Sequence, residues 1–314
     1  MLNVALVGLG QIGKLHLEIL SQLPDFHITA VVEPREIPCN FPKYPTIEDC
    51  NNHHQEIDLY TIATPNGFHY RQAKKLLYFG KNILIEKPAA LHKNQVEELV
   101  HLAREKHLRL FSSLQLRFSP MVAYVKKLID EGCLGKIFLL NVECFWNRNQ
   151  AYYQKNDWHG TKEMDGGILF TQFSHFIDII HFFLGEVKLL HSSSENFAHQ
   201  NCTDFPDSGI LQFKSVNTLG SMIYTISTYE KNFDSSITII AEKGTIKIGG
   251  QYMNQLLYHN VQGFCAPEFT FSSHKFHKNL YDNILYSMQN NVSSVADAEN
   301  SINTIGFIEE AGDF

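Results

Sequence analysis

The stretch NVALVGLGQIGKLHLEIL, residues 3–20, constrains the fold more than any other part of the chain. A short apolar run ends in glycine, and apolar residues then recur at helical spacing (Ile12, Leu15, Ile19, Leu20, Leu23). Gly8, Gly10 and Gly13 between them fit G-x-G-x-x-G, a motif whose meaning depends on its surroundings. A second β-branched run, HITAVVEP, follows and ends at Glu33. Strand, glycine turn, helix, strand and a carboxylate about 20 residues on is the context of a dinucleotide site. Gly8 permits the tight turn, Gly10 leaves room for a pyrophosphate, and Gly13 lets the helix approach the strand. The helix then presents free N–H groups, from Gln11 and Ile12 onward, to the phosphates. Glu33 suits an adenosine ribose and repels a 2′-phosphate, which points to NAD; Arg35 nearby softens that preference.

The alternation continues. DLYTIAT (58–64) reads as a buried strand, and PNGFHYRQAKKLLYFG as a turn and helix. NILIEKP (82–88), HKNQVEELVHLAREKH (92–107) and LRLFSSLQ (108–115) add strand, helix and strand. Such a series implies right-handed crossovers and a parallel sheet, with ligands outside the carboxyl ends of the strands. Three loops fall there: residues 8–13, TPNGFH with Thr64, Pro65, Asn66 and His69, and EKP with Glu86 and Lys87. These are the candidate cofactor-binding residues. Pro34, Pro38, Pro42 and Pro45 exclude an ordinary helix after Glu33, leaving an irregular loop or one short turn near 46–52.

At 314 residues the chain is expected to form two domains, 1–118 and 119–314. Its net charge of −7 argues against a nucleic-acid partner. No run reaches the ~18–20 apolar residues that would span a bilayer, so no membrane partner is expected, and the apolar start reads as a strand rather than a signal peptide. Six cysteines without a C-x-x-C pair are expected to be reduced thiols of a cytoplasmic protein. Among 16 histidines the tightest pairs, His53–His54 and His274-x-x-His277, lack a third ligand at suitable spacing, so no metal site is expected.

GLGQIG, ATPNGFH and EKP together make the chain resemble the glucose–fructose oxidoreductase/inositol dehydrogenase (Gfo/Idh/MocA) family. The resemblance implies a Rossmann dinucleotide-binding domain followed by an α+β domain whose open, mainly antiparallel sheet carries the substrate pocket and subunit contacts. The rest of the chain fits: a helix over 119–135, a long strand KIFLLNVECFW, hairpins in 208–227 and 235–250, and terminal helices. It also implies catalytic roles for Lys87 and His175. A lysine ammonium steadies a developing alkoxide, and an imidazole takes the hydroxyl proton.

Residues 148–178, RNQAYYQKNDWHGTKEMDGGILFTQFSHFID, carry a closer resemblance to the UDP-N-acetylglucosaminuronate 3-dehydrogenases, sugar-nucleotide oxidoreductases of bacterial surface-polysaccharide (lipopolysaccharide) synthesis. Their approximate pattern is R-x-Q-x-Y-Y, W-R-G-T, D-G-G and N-Q-x-x-H-x-I-D. Three positions depart from it: His159 stands for the arginine, Thr171 for the asparagine and Phe173 for a small residue. The implied substrate contacts are Lys87, Arg148, Tyr152, Tyr153, Trp158, Thr171, Gln172 and His175. Arg148 suits a phosphate or carboxylate; the aromatics either stack on a ring or pack in an interface. Helical spacing places Thr171, His175 and Asp178 on one face, with Asp178 either orienting the imidazole or serving a structural ion pair. The resulting expectation is NAD-dependent oxidation of a UDP-linked N-acetylated uronic acid, with a 2-oxo acid able to reoxidise bound NADH, in a homodimer or homotetramer joined through the C-terminal sheet. The alternatives are an inositol or free-sugar dehydrogenase of the same family, and an NAD-binding subunit without turnover.

Overall fold

The computed structural model describes residues 1–268 and 275–312, so His274 and its pairing with His277 lie outside the described residues. The chain divides into two compact units, Met1–Gln115 with His277–Ile302, and Leu116–Phe276 with Asn303–Phe314.

In the first unit β1 (Leu2–Val7), α1 (Gln11–Leu20) and β2 (Phe26–Val32) are followed by β3 (Lys43–Tyr44) and α2 (Ile47–His53). Then come β4 (Leu59–Ile62), α3 (Asn66–Tyr78), β5 (Asn82–Ile85), α4 (Lys93–Glu105) and β6 (Leu110–Ser112). All pairings are parallel and the strand order is β3-β2-β1-β4-β5-β6. Val4–Val7 and Leu59–Ile62 are at most 1% exposed, as expected of parallel strands covered on both faces. This is the Rossmann order, with the strand sequence reversing between β1 and β4.

The proline-rich segment carries no helix through Pro45. Instead Ile37, Cys39 and Phe41 pack against Leu6, Leu9 and Val31, and Lys43–Tyr44 adds an edge strand absent from the sequence expectation. The helix α2 begins once the prolines end, capped by the Thr46 side chain accepting the Asp49 N–H at 3.1 Å.

The second unit begins with α5 (Pro120–Asp130) and β7 (Ile137–Phe145), then α6 (Gln150–Tyr153), α7 (Ile168–Thr171) and α8 (Ser174–Leu184). Six strands follow: β8 (Lys188–Glu195), β9 (Ser208–Ser215), β10 (Thr218–Thr225), β11 (Asp234–Ala241), β12 (Gly244–Gly249) and β13 (Gln255–Val261). With β7 they form one mainly antiparallel sheet in the order β13-β12-β11-β7-β10-β9-β8, in which β7 and β10 are parallel. Two terminal helices complete the chain, α9 (Lys275–Asn290) and α10 (Ile302–Ala311). From His277, α9 belongs to the first unit, where Tyr281 packs edge-on against Phe26 at 5.3 Å between centroids.

The helix expected across Thr171 and His175 is interrupted. α7 stops at Thr171, and Phe173 precedes α8 in a non-helical conformation (φ −113°, ψ 0°). Its ring is fully buried among Trp146, Phe176 and Tyr224, so the bulky departure at this position fills core and kinks the chain. Thr171 and His175 therefore sit on separate helices. Asp178 takes the structural role: both its oxygens accept from Arg117, Nε at 2.8 Å and Nη2 at 2.7 Å, and both side chains are at least 95% buried. Removing one member of such a pair leaves an uncompensated buried charge. Asp178→Ala should therefore destabilise the second unit by about 3–5 kcal/mol in denaturant unfolding. A loss of activity at undiminished stability would return Asp178 to the imidazole.

Candidate active site

The glycine turn answers the geometry that a dinucleotide demands. Gly8 has φ +96°, and a Cβ there would lie 2.7 Å from the Ala63 carbonyl oxygen. A Cβ on Gly13 would fall 2.1 Å from the Gly8 oxygen, so α1 rests directly on the turn. Above Gly10 nothing lies within 4 Å. Crowding at two glycines and open space at the middle one is the cradle a pyrophosphate fills. Gln11 and Ile12, both exposed, start α1 beside it, where amide hydrogens lack helical acceptors.

The other two loops are locked to each other. His69 is fully buried between two carbonyls, Nδ1 at 2.7 Å from Pro88 O and Nε2 at 2.8 Å from Thr64 O. Burial holds its pKa down, so the neutral ring donates to one carbonyl at a time. It ties the TPN turn, where Pro65 caps α3 and Asn66 begins it, to the EKP turn.

Glu86 is the centre of a buried network. Its Oε1 lies 2.9 Å from His16 Nε2, and its Oε2 accepts the Lys87 N–H at 3.1 Å. His16 Nδ1 in turn is 2.8 Å from the Tyr281 hydroxyl, which lies 3.2 Å from Thr61 Oγ1. Burial opposes ionisation of Glu86, but the His16 bond prevails and sets its pKa far below the ordinary range. The network joins strand end, cofactor helix and α9 around the backbone of Lys87. Sequence reasoning missed His16 and Tyr281; the helical spacing of His16 toward the core was the available sign for the first, and nothing local marked the second.

In the second unit the 148–172 segment is built around Arg148. Its Nε donates to Gln172 Oε1 at 2.9 Å, and Nη1 to Asn147 O at 2.6 Å and Asn232 Oδ1 at 3.2 Å. The guanidinium lies over Trp146 (4.8 Å) and Tyr152 (5.3 Å). Every one of these acceptors is neutral, and burial lowers the arginine's pKa. A half-buried cation with no carboxylate partner among the described residues is a ready anion site.

Gln172 passes the arrangement on, its Nε2 donating to Tyr152 Oη at 2.9 Å. The Tyr152 ring stacks on His159 at 4.6 Å, and Trp158 tilts onto the same imidazole at 3.8 Å. Burial, with Lys155 and Arg148 nearby, pushes His159 down to about 4, so it is neutral at pH 7. Tyr153 is instead core, 5% exposed against Tyr152, His199 and Phe205. Thr171 is also structural here: its hydroxyl donates to Asp165 O at 2.9 Å, while Asp165 Oδ2 accepts the Gly160 N–H at 2.9 Å. His199 was not anticipated. It bridges Asp207 Oδ2 (3.0 Å) and Arg148 O (2.6 Å), holding the arginine's backbone from behind. His175 lies in the first turn of α8. Among the described residues no three His, Cys, Asp or Glu side chains gather as a metal site, and no helix is long and apolar enough to cross a membrane.

Residues 2–114 match the family model for the oxidoreductase family with NAD-binding Rossmann fold, and residues 122–247 match the GFO/IDH/MocA C-terminal domain. The chain belongs to the Gfo/Idh/MocA family. Its glycine turn fits the NAD that the family's Rossmann domain binds. An uncharacterized oxidoreductase from Synechocystis is 34% identical over 141 residues, 43% of this chain and 36% of that protein. A 2,7-anhydro-N-acetylneuraminate hydratase from Mediterraneibacter gnavus is 26% identical over 256 residues, 78% of this chain and 66% of that protein. The chain thus spans less than two thirds of the length of these curated relatives. Among solved structures, the WlbA dehydrogenase from Bordetella pertussis in complex with NADH and UDP-GlcNAcA has a TM-score of 0.88 and 26% identity, covering 98% of this chain and 94% of that one.

Two glycine variants separate binding from folding. Gly10→Val fills open space, so it should abolish NADH binding while leaving the melting temperature nearly unchanged. Gly13→Ala forces α1 off the turn and should cost about 1–3 kcal/mol of stability as well. Equal NADH affinity in Gly10→Val and wild type, measured by fluorescence titration, would remove the pyrophosphate from this turn.

Proposed function

We propose that this protein oxidises the C3 hydroxyl of a UDP-linked N-acetylated uronic acid, a step of surface-polysaccharide assembly. The observation that carries the reading is Arg148, a half-buried guanidinium whose acceptors among the described residues are neutral, set among the aromatic rings of a segment patterned like the UDP-N-acetylglucosaminuronate 3-dehydrogenases. The likeness to a WlbA dehydrogenase holding UDP-GlcNAcA supports it.

NAD, when bound, supplies the hydride acceptor. Lys87 puts a positive charge beside the reacting oxygen, raising the hydroxyl's acidity and stabilising the alkoxide. His175 takes the hydroxyl proton, as an imidazole can near neutral pH. Arg148 binds phosphate or carboxylate, and the Tyr152–His159–Trp158 stack offers a flat face to a ring. Tyr153, Asp165 and Thr171 shape the loop. A neutral His159 where the related pattern has arginine means that this position brings no charge to the substrate.

His175→Asn and Lys87→Ala should each lower turnover by about 100- to 10,000-fold while retaining NADH. The assay follows the 3-keto sugar by mass spectrometry with 2-oxoglutarate present to reoxidise bound NADH. Equal turnover in wild type and His175→Asn would remove the base assignment. Oxidation of inositols or free sugars, with none of any UDP-uronic acid, would replace the substrate.

The same reading has a second copy of the chain cover the outer face of the C-terminal sheet. Leu139, Leu219 and Ile240 stand side by side there on β7, β10 and β11, each at least 39% exposed, with Ile210 and Ile223 alongside. Sedimentation should show a dimer or tetramer that Leu219→Glu weakens; a wild-type monomer would exclude this interface.

A further inference from the structure

The Glu33 carboxylate has no hydrogen-bonding capacity left. Its Oε1 accepts the Arg35 backbone N–H at 3.0 Å and Arg35 Nε at 2.8 Å. Its Oε2 accepts the Leu9 N–H and Arg35 Nη2, both at 2.8 Å. A carboxylate offers about four lone-pair directions, so these four donors saturate it. Burial works against its ionisation, yet the Arg35 and Leu9 bonds draw the pKa down to about 2. At neutral pH the group is a fully engaged anion.

In a Rossmann fold this carboxylate, at the end of the second strand, is the acceptor for the adenosine ribose hydroxyls. Those hydroxyls need lone pairs that are already taken, so a donor must leave. Two of the four are backbone amides that cannot. Leu9 belongs to the glycine turn and is 3% exposed. The Arg35 backbone is pinned by Lys43, whose Nζ donates to Arg35 O at 3.0 Å and to Ile37 O at 3.4 Å. The remaining two belong to one guanidinium, on a side chain 62% exposed where that of Glu33 is 2% exposed. It is the part that can swing.

We infer that the Arg35 side chain is a latch on the ribose-binding carboxylate: it must release Glu33 for NAD to bind, and once released it is held where a 2′-phosphate would lie. The latch acts on both cofactors in opposite directions. For NAD it is a competitor, displaced at the cost of an ion pair whose arginine end is exposed to water and whose carboxylate keeps two backbone donors, which is modest. For NADP it is a counter-ion, offsetting the repulsion between Glu33 and the phosphate through charge-assisted hydrogen bonds. Glu33 still sets the preference for NAD; Arg35 narrows it.

Fluorescence titrations of NADH and NADPH against wild type, Arg35→Ala, Glu33→Gln and the double variant test this without any substrate. Arg35→Ala should bind NADH about two- to fivefold tighter and NADPH about tenfold weaker or worse. The tightening toward NADH should vanish in the Glu33→Gln background, because there is no longer a charged pair to break. Arg35→Lys, which keeps the charge without the fork, should fall between wild type and Arg35→Ala for NADPH. The Arg35 side chain is exposed, so Arg35→Ala and Arg35→Lys should melt close to wild type. Weaker NADH binding in Arg35→Ala, an unchanged ratio of the two affinities, or no measurable NADPH binding by the wild type would each overturn the latch.

Discussion

The buried carboxylate of Glu86 is the contact on which the cofactor edge depends. A charge so deep is tolerable only if donors surround it, and they come from near and far: the Lys87 amide next along the chain and His16 of α1, 70 residues away. Tyr281, some 265 residues from His16 in the chain, orients the imidazole from its far side. The first unit is therefore not closed by its own N-terminal residues; α9 returns to finish it. The consequence for chemistry is direct. The backbone of the proposed catalytic lysine is fastened by a network that also fixes the helix addressing the phosphates, so cofactor and lysine share one reference frame.

The second unit solves a different problem, how to keep a cation ready. Arg148 is desolvated, surrounded by amide and carbonyl oxygens, and flanked by ring faces, a setting that holds the guanidinium in place without neutralising it. His199 and Asp207 secure its backbone, and Gln172 couples it to Tyr152. An anionic ligand would then gain a preorganised partner with little reordering cost. The first unit shows the converse economy at Glu33, an anion that is kept engaged until its ligand arrives.

Much of this was legible in the sequence because the signals are local. The glycine spacing, the strand–helix alternation and the hairpin turns each follow from short-range sterics and burial, and the prolines at 34–45 excluded helix where the structure has none. The strands that went unread, β3, β8 and β13, lie at sheet edges. KLLHSSSE and QLLYHNV bury little, so they lack a clean apolar alternation to detect. The break at Phe173 was hidden because an i, i+4 pattern assumes an unbroken helix, while tertiary packing of one aromatic ring ended it. Tyr153 and Thr171 were read as substrate contacts, with packing the alternative for the aromatic, and Asp178 as either orienting the imidazole or pairing structurally; their partners lie far along the fold or across a loop, where local spacing does not reach. His16, Tyr281 and His199 matter through long-range partners, which no local pattern encodes.

In the proposed reaction a hydride passes from C3 of a UDP-linked uronic acid to NAD. A single-turnover experiment with C3-deuterated UDP-N-acetylglucosaminuronic acid, NAD-loaded protein and no 2-oxo acid tests it most directly. Mass spectrometry of the released cofactor should find the deuterium in the nicotinamide ring of the reduced form, alongside a 3-keto sugar free of it. Reduced cofactor without deuterium, or a substrate that keeps its C3 label while the protein reduces NAD with another alcohol, would contradict it.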